Sequence, residues 1–195
     1  MLLGIAQSIA TLLTIILFYT MDFALIRRYD KKRQASGSGR SWDFTFFIFA
    51  MVAVLVLQPI LFPIISFRVT ATWGLIIQII GVLTILIALA LHIWSRVHLQ
   101  QFYAERVEVQ PEHKVIDTGP YKLMRHPVIT SFFGIAIGLT LINPALTTFA
   151  ALLYTIWDFS HAAKQEEDLL TVNLPGYAEY ARRTPRFLPR LSRGR

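Results

Sequence analysis

Not one of the 195 residues is a cysteine, which excludes disulfides, thiol catalysis and any metal site built on sulfur. Charge is also scarce. Only 16% of the residues are Asp, Glu, Lys or Arg, against about 25% in a soluble domain. Acidic residues are the scarcer sign, 12 against 19 basic ones, for a net charge of +7. A nucleotide-binding fingerprint is missing: the Gly-x-Gly of "GSGR", residues 37–40, follows no strand and reads as a flexible loop. The five histidines lack ligand spacing with carboxylates, so no metal is expected.

What the chain has is hydrophobic length. Apolar runs cover Leu2 to Ile26, Phe44 to Ile65, Trp73 to Trp94, Val128 to Ile142, and Ala145 to about His161. They predict an all-α membrane protein with five transmembrane helices. The first run, about 37 Å as a helix, has no charged leader or small-residue cleavage site, so it reads as a retained helix. Pro59 and Pro63 should kink or end the second. Placing residues 27–43 inside also puts 95–127 and the tail after 163 inside, and 18 of the 19 Lys/Arg then share one side. The positive-inside rule therefore predicts the N-terminus out and the C-terminus in. The net charge is explained by this topology and by anionic lipid, so no nucleic-acid partner is expected. Trp42, Trp73 and Trp94 fall at interfaces as anchors, and His92 and His98 read as interface residues.

The chain divides into three helices over residues 1–97 and a catalytic region over 98–195. The fourth run reaches only about 22 Å, short of a hydrocarbon core of about 30 Å. Joined to the fifth by Asn143-Pro144, it forms a tight hairpin that draws its own start towards the membrane boundary. That start is "TGPYKLMRHPVITSFFG", residues 118–134. Pro127 suits a first helical turn. Arg125 and His126 oppose the helix dipole by about 0.3–1 kcal/mol each, so they need either water or a negative neighbour. Glu166 and Glu167, on the same side after the fifth run, are the natural partners. Tyr177 and Tyr180 read as packing residues of an amphipathic tail helix.

The joint pattern "GPYKLMRHP", then "EE", then a Tyr-rich tail ending in Pro resembles the isoprenylcysteine carboxyl methyltransferase family over about residues 92–189. The resemblance implies a cytosolic-side pocket for S-adenosylmethionine, formed by the loop before helix 4 and the tail after helix 5. It implies cofactor contacts at His113, Lys114, Val115, Ile116, Tyr121, His126, Pro127, Val128 and Ile129. It places the paired glutamates at 166 and 167 and the tail motif at Tyr177, Tyr180 and Pro185. The implied acceptor is a lipidated small molecule or protein C-terminus, methylated on its carboxylate. Ile129 stands where family members usually carry Tyr, and Ala162 where methylators of prenylated proteins tend to carry Arg. With the compact length, that points to a prokaryotic member in the cell membrane.

The chemistry can be argued separately. Methyl transfer from a sulfonium is an in-line displacement, governed by positioning and charge placement. Arg125 can serve a carboxylate, and Glu166 or Glu167 an amino group or sulfonium. A carboxylate acceptor is already ionised at neutral pH and needs no base. An amine acceptor, as in a phospholipid N-methyltransferase, would need one, with His126 the candidate. A third reading, an NADPH-dependent sterol-type reductase, is weakened by Val128 and Ile129 in place of the Asn-Tyr usual there. A membrane scaffold would leave the Arg-His-Pro and Glu-Glu pairing unexplained.

Overall fold

The structure is a computed structural model that describes residues 2–29, 42–67, 71–99 and 115–189, without the side chains of 29, 42–48 and 71. His113 and Lys114 lie outside the described residues. The chain is helical: α1 (Ile5–Tyr29), α2 (Trp42–Leu61), α3 (Ala71–Leu99), α4 (Pro127–Ile142), α5 (Leu146–Asn173) and a short α6 (Tyr177–Arg183). Single 3-10 turns occupy Pro63–Ile65 and Gly119–Lys122. Among the described residues, two helices are long and apolar enough to cross a membrane, over Ile5–Arg28 and Thr72–Leu99. Phe49–Leu61 and Pro127–Ile142 are shorter apolar helices.

The prolines act as the sequence suggests. Pro59 is carried inside α2, which stops at Leu61, before Pro63 opens the 3-10 turn. The fifth helix differs from expectation. Its apolar run fades near His161, but α5 continues unbroken to Asn173, so Glu166 and Glu167 stand on the same helix rather than on a separate tail element. Loss of hydrophobicity ends a run, whereas only a backbone breaker ends a helix, and none occurs before the "LPG" of residues 174–176. There Gly176, at φ +86°, takes the left-handed conformation that turns the chain into α6.

The main helix interface joins α3 to α4. It is closed by small residues, since a Cβ on Gly134 would lie 2.8 Å from the Ala88 Cβ, and one on Gly138 2.8 Å from the Gly81 carbonyl. Gly134 and Gly138 form a Gly-x-x-x-Gly spacing, the pattern that lets apolar helices approach without side chains between them. The far end of α4 is tied down by amides. Gln78 Nε2 donates to the Ile142 carbonyl at 3.0 Å and Gln7 Nε2 to the same oxygen at 3.3 Å, supplying partners that a helix C-terminus lacks. Asn143 Nδ2 donates to Gln58 Oε1 at 3.0 Å, and an antiparallel bridge pairs Ser66 with Ala145. The α4–α5 hairpin is therefore held at its tip, and the height of the opposite end of α4 follows from its length.

Candidate functional site

At that opposite end, His126 is the N-cap of α4 and Pro127 its first residue, with Pro127, Val128 and Ile129 buried in the opening turn. The neighbour that Arg125 and His126 require is Glu167. His126 Nε2 lies 2.9 Å from Glu167 Oε1, Arg125 Nε donates to the same oxygen at 3.0 Å, and Arg125 Nη2 is 2.9 Å away. A third cation joins from the tail: Arg186 donates through Nε to Oε1 at 3.0 Å and through Nη2 to Oε2 at 2.5 Å. Sequence reasoning missed Arg186, which looked like one of six arginines in the last fourteen residues, serving topology and lipid.

The tail backbone completes the clamp. Arg125 N–H donates to the Pro185 carbonyl at 2.8 Å, His126 N–H to Arg186 at 3.0 Å, and Thr130 Oγ1 to Phe187 at 2.9 Å. Arg125 Nη1 donates to the carbonyls of Ala181 and Thr184, both at 2.6 Å. The segment after α6 is thus strapped across the start of α4. Tyr180 O–H donates to the Tyr121 carbonyl at 2.7 Å, fixing α6 to the 3-10 turn. Tyr177 and Tyr180 are buried with Leu170 and Leu174, with Val115 packed against them, which is the packing role expected of the two tyrosines. Gly119, at φ +56°, sits under the His98 ring, where any side chain would collide with the imidazole.

Electrostatics follow from this arrangement. Burial opposes charge on Glu167, but hydrogen bonds from His126, Arg186 and Arg125 outweigh it and hold the carboxyl far below the usual range. Burial likewise opposes charge on His126, yet hydrogen bonds to Glu166 and Glu167 and their negative charges raise its pKa above the ordinary 6.5. Its second nitrogen, Nδ1, lies 3.4 Å from Glu166 Oε2, so both ring nitrogens face carboxylates, which favours the imidazolium. Burial raises the pKa of Tyr177 and of Tyr180, keeping both phenols neutral. Glu166 keeps 44% of its side chain exposed and is the open carboxylate of the pair.

Beside the clamp is a groove of about 410 Å³ between the segment before the 3-10 turn and the tail. It is lined by Val115, Asp117, Leu174, Gly176, Tyr180 and Arg183 among others, with Arg183 Nη2 donating to Asp117 Oδ2 at 2.6 Å. Ile116 is half-buried and Tyr121 buried, and neither is among the residues that line the groove. The groove therefore combines apolar and aromatic walls with both signs of charge.

His92 is a correction. It is not an interface residue but wholly buried, with Nδ1 3.0 Å from Ser131 Oγ and Nε2 3.3 Å from Asp22 Oδ1. Arg96, also wholly buried, reaches the same oxygen through Nε at 3.5 Å. The signal was present in the sequence: Asp22 is the one acidic residue inside the first apolar run, and a charge in such a run marks a functional site by default. Among the described residues no group of three or more His, Asp and Glu could hold a metal ion.

Comparison with known proteins places these features in context. The isoprenylcysteine carboxyl methyltransferase (ICMT) family profile matches residues 77–172, which include α4, Arg125, His126, Glu166 and Glu167. The chain is 40% identical over 82 residues to the nickel-cobalt-cadmium resistance protein NccN of Alcaligenes xylosoxydans xylosoxydans, covering 40% of this chain and 38% of that protein. It is 28% identical over 148 residues to the cobalt-zinc-cadmium resistance protein CzcN of Cupriavidus metallidurans, covering 74% of this chain and 63% of that one. The matched stretches thus span less than two thirds of either relative's length. Among solved structures, the eukaryotic intramembrane Ras methyltransferase ICMT superposes with a TM-score of 0.72 at 20% identity, over 95% of this chain and 67% of that one. The fold is shared.

Proposed function

Because the chain belongs to the isoprenylcysteine carboxyl methyltransferase family, we propose that it is an integral membrane methyltransferase that esterifies the carboxylate of a lipidated acceptor. It uses S-adenosylmethionine and spans the cell membrane of a prokaryote five times, N-terminus out and C-terminus in. The observation that carries this reading is the clamp of Arg125, His126, Glu167 and Arg186 at the start of a short helix whose tip is pinned at the other end.

The groove between residues 115–117 and the tail fits the cofactor's chemistry. Val115, Leu174 and Tyr180 offer apolar and aromatic surface to an adenosine, and Asp117, Glu179 and Arg183 offer both charges to an amino-acid zwitterion. When bound, the cofactor supplies an electrophilic methyl group on a sulfonium. The chain's own residues position and polarise. Arg125 spends both hydrogens of Nη1 on tail carbonyls and turns Nε and Nη2 to Glu167, so its role is to position the strap. Glu166, half exposed beside His126, is the carboxylate free to face a cation.

The clamp also bears on the acceptor. A general base needs a lone pair, and His126 directs both nitrogens at carboxylates that favour its protonated form. An acceptor that must lose a proton to this histidine is disfavoured, whereas a carboxylate needs no base. The test is methyl ester formation by the purified full-length protein with methyl-labelled S-adenosylmethionine and a small prenylated cysteine analogue. We expect ester formation that does not fall steeply from pH 8 to pH 6, and a far poorer rate with the same cysteine lacking its chain. Transfer to an amine-headed phospholipid but to no carboxylate would overturn the reading.

A further inference from the structure

Away from the clamp, α1, α2, α4 and α5 line a second, partly open cavity of about 430 Å³, a volume typical of small-ligand sites. Thr14, Phe18 and Asp22 face it from successive turns of α1, with Leu55 from α2, Ile135 from α4 and Thr155 from α5. None of Arg125, His126, Glu166, Glu167 or Arg186 lines it. Its wall is apolar except for three threonines, a tyrosine and one carboxylate, Asp22. In a helix otherwise free of acidic residues, that carboxylate is costly unless it is used.

The partners of Asp22 show what it can still do. His92 Nε2 at 3.3 Å and Arg96 Nε at 3.5 Å both approach Oδ1, and the side chain retains 16% exposure where it lines the cavity. The carboxylate is thus a charged acceptor on the wall of an apolar chamber. Arg96 Nε already lies 3.5 Å from the carboxylate, so a cationic ligand would bring a second positive charge into a low-dielectric site. An anionic ligand would set two carboxylates together and offer no donor. A neutral donor does neither. We propose that this cavity binds an uncharged lipid whose head presents a hydroxyl or amide N–H to the Asp22 carboxylate while its chain lies between α4 and α5. The proposal does not depend on methyl transfer.

Occupancy would be felt at the clamp's helix, because His92 links Asp22 to Ser131 Oγ in the second turn of α4. The test uses the full-length protein in phosphatidylcholine nanodiscs with hexadecanol carrying a photoreactive diazirine in its chain. We expect cross-links to map to the cavity faces of α1, α4 and α5. Unlabelled hexadecanol should compete at least tenfold better than its methyl ether, about 1.4 kcal/mol, and better than palmitate or hexadecylamine. Asp22→Asn should narrow the difference between alcohol and ether. Ala151→Phe, which fills the cavity without touching Asp22, should abolish labelling even if the Asp22 variant does not fold. Equal competition by the alcohol and its methyl ether, or undiminished labelling of the filled variant, would overturn the proposal, whatever the outcome of the methyl-transfer assay.

Discussion

Glu167 gathers three cations onto two oxygens, the adjacent Arg125 and His126 from the start of α4 and Arg186 from the tail. Removing it would leave Arg125 and His126 facing a helix N-terminus with no compensating charge. Arg125→Ala and Glu167→Ala are each expected to lower methyl transfer at least tenfold, about 1.4 kcal/mol of transition-state stabilisation. Both should still insert into the membrane. Steady-state kinetics beside membrane fractionation checks this, and wild-type turnover in both variants would sink the assignment. Arg186→Lys should cost less than Arg186→Ala, because Lys keeps the charge but not the two-point contact with Glu167. The clamp also sets a pH dependence. The His126 pKa is raised on folding, so its contribution to stability is full below 6.5 and is lost as pH rises through the raised value. That of Glu167 is lowered, so its contribution is present above 4.5 and fades only as pH falls through the depressed value. Thermal unfolding in detergent should therefore show stability declining on the alkaline side of 6.5, and His126→Gln should flatten that decline. An unchanged slope in the variant would show that another group governs it.

At the scale of elements, the pairing of α3 with α4 decides where the site sits. Gly138 leaves no room for a side chain: a Cβ there would press on the Gly81 carbonyl and on Ile85. Backbone cannot move aside as a flexible side chain can, so Gly138→Ala must separate the helices. Overpacking of this kind costs about 1–3 kcal/mol. We expect a lower unfolding temperature for Gly138→Ala in the same detergent, with reduced turnover because α4 carries His126 at its end. A variant as stable as the parent would mean that the interface is looser than the backbone approach implies. The opposite tip of the hairpin makes the same point through hydrogen bonds. Gln7, Gln58 and Gln78 sit in apolar helices, and their amides serve the α4 C-terminus and the connecting turn.

For the whole molecule, the proposed topology is open to direct chemistry because the chain has no cysteine of its own. Ser38→Cys and Thr70→Cys, introduced singly at positions outside the described residues, should react with an impermeant maleimide from opposite sides of intact cells. Ser38 should be shielded until the membrane is opened, and Thr70 should label at once. Labelling of both from outside would overturn the five-span arrangement.

The order of residues alone decided that this chain is helical and apolar, because the length of a hydrophobic run and the position of a proline act locally. The hairpin at Asn143-Pro144 and the stop of α2 before Pro63 were legible for that reason. So was the demand of Arg125 and His126 for an anion, since a helix dipole belongs to the helix itself. The end of α5 was not legible, because polarity says where a helix leaves an apolar layer and not where its backbone bonds cease. Nor could the sequence tell Arg186 from the other arginines of the tail, or join Asp22 to His92 across 70 residues. Those assignments depend on how helices distant in the chain are set against one another. That is fixed by packing, by the bare glycine faces of α3 and α4 and by the amides that hold the hairpin tip, and it was decided only by the tertiary structure.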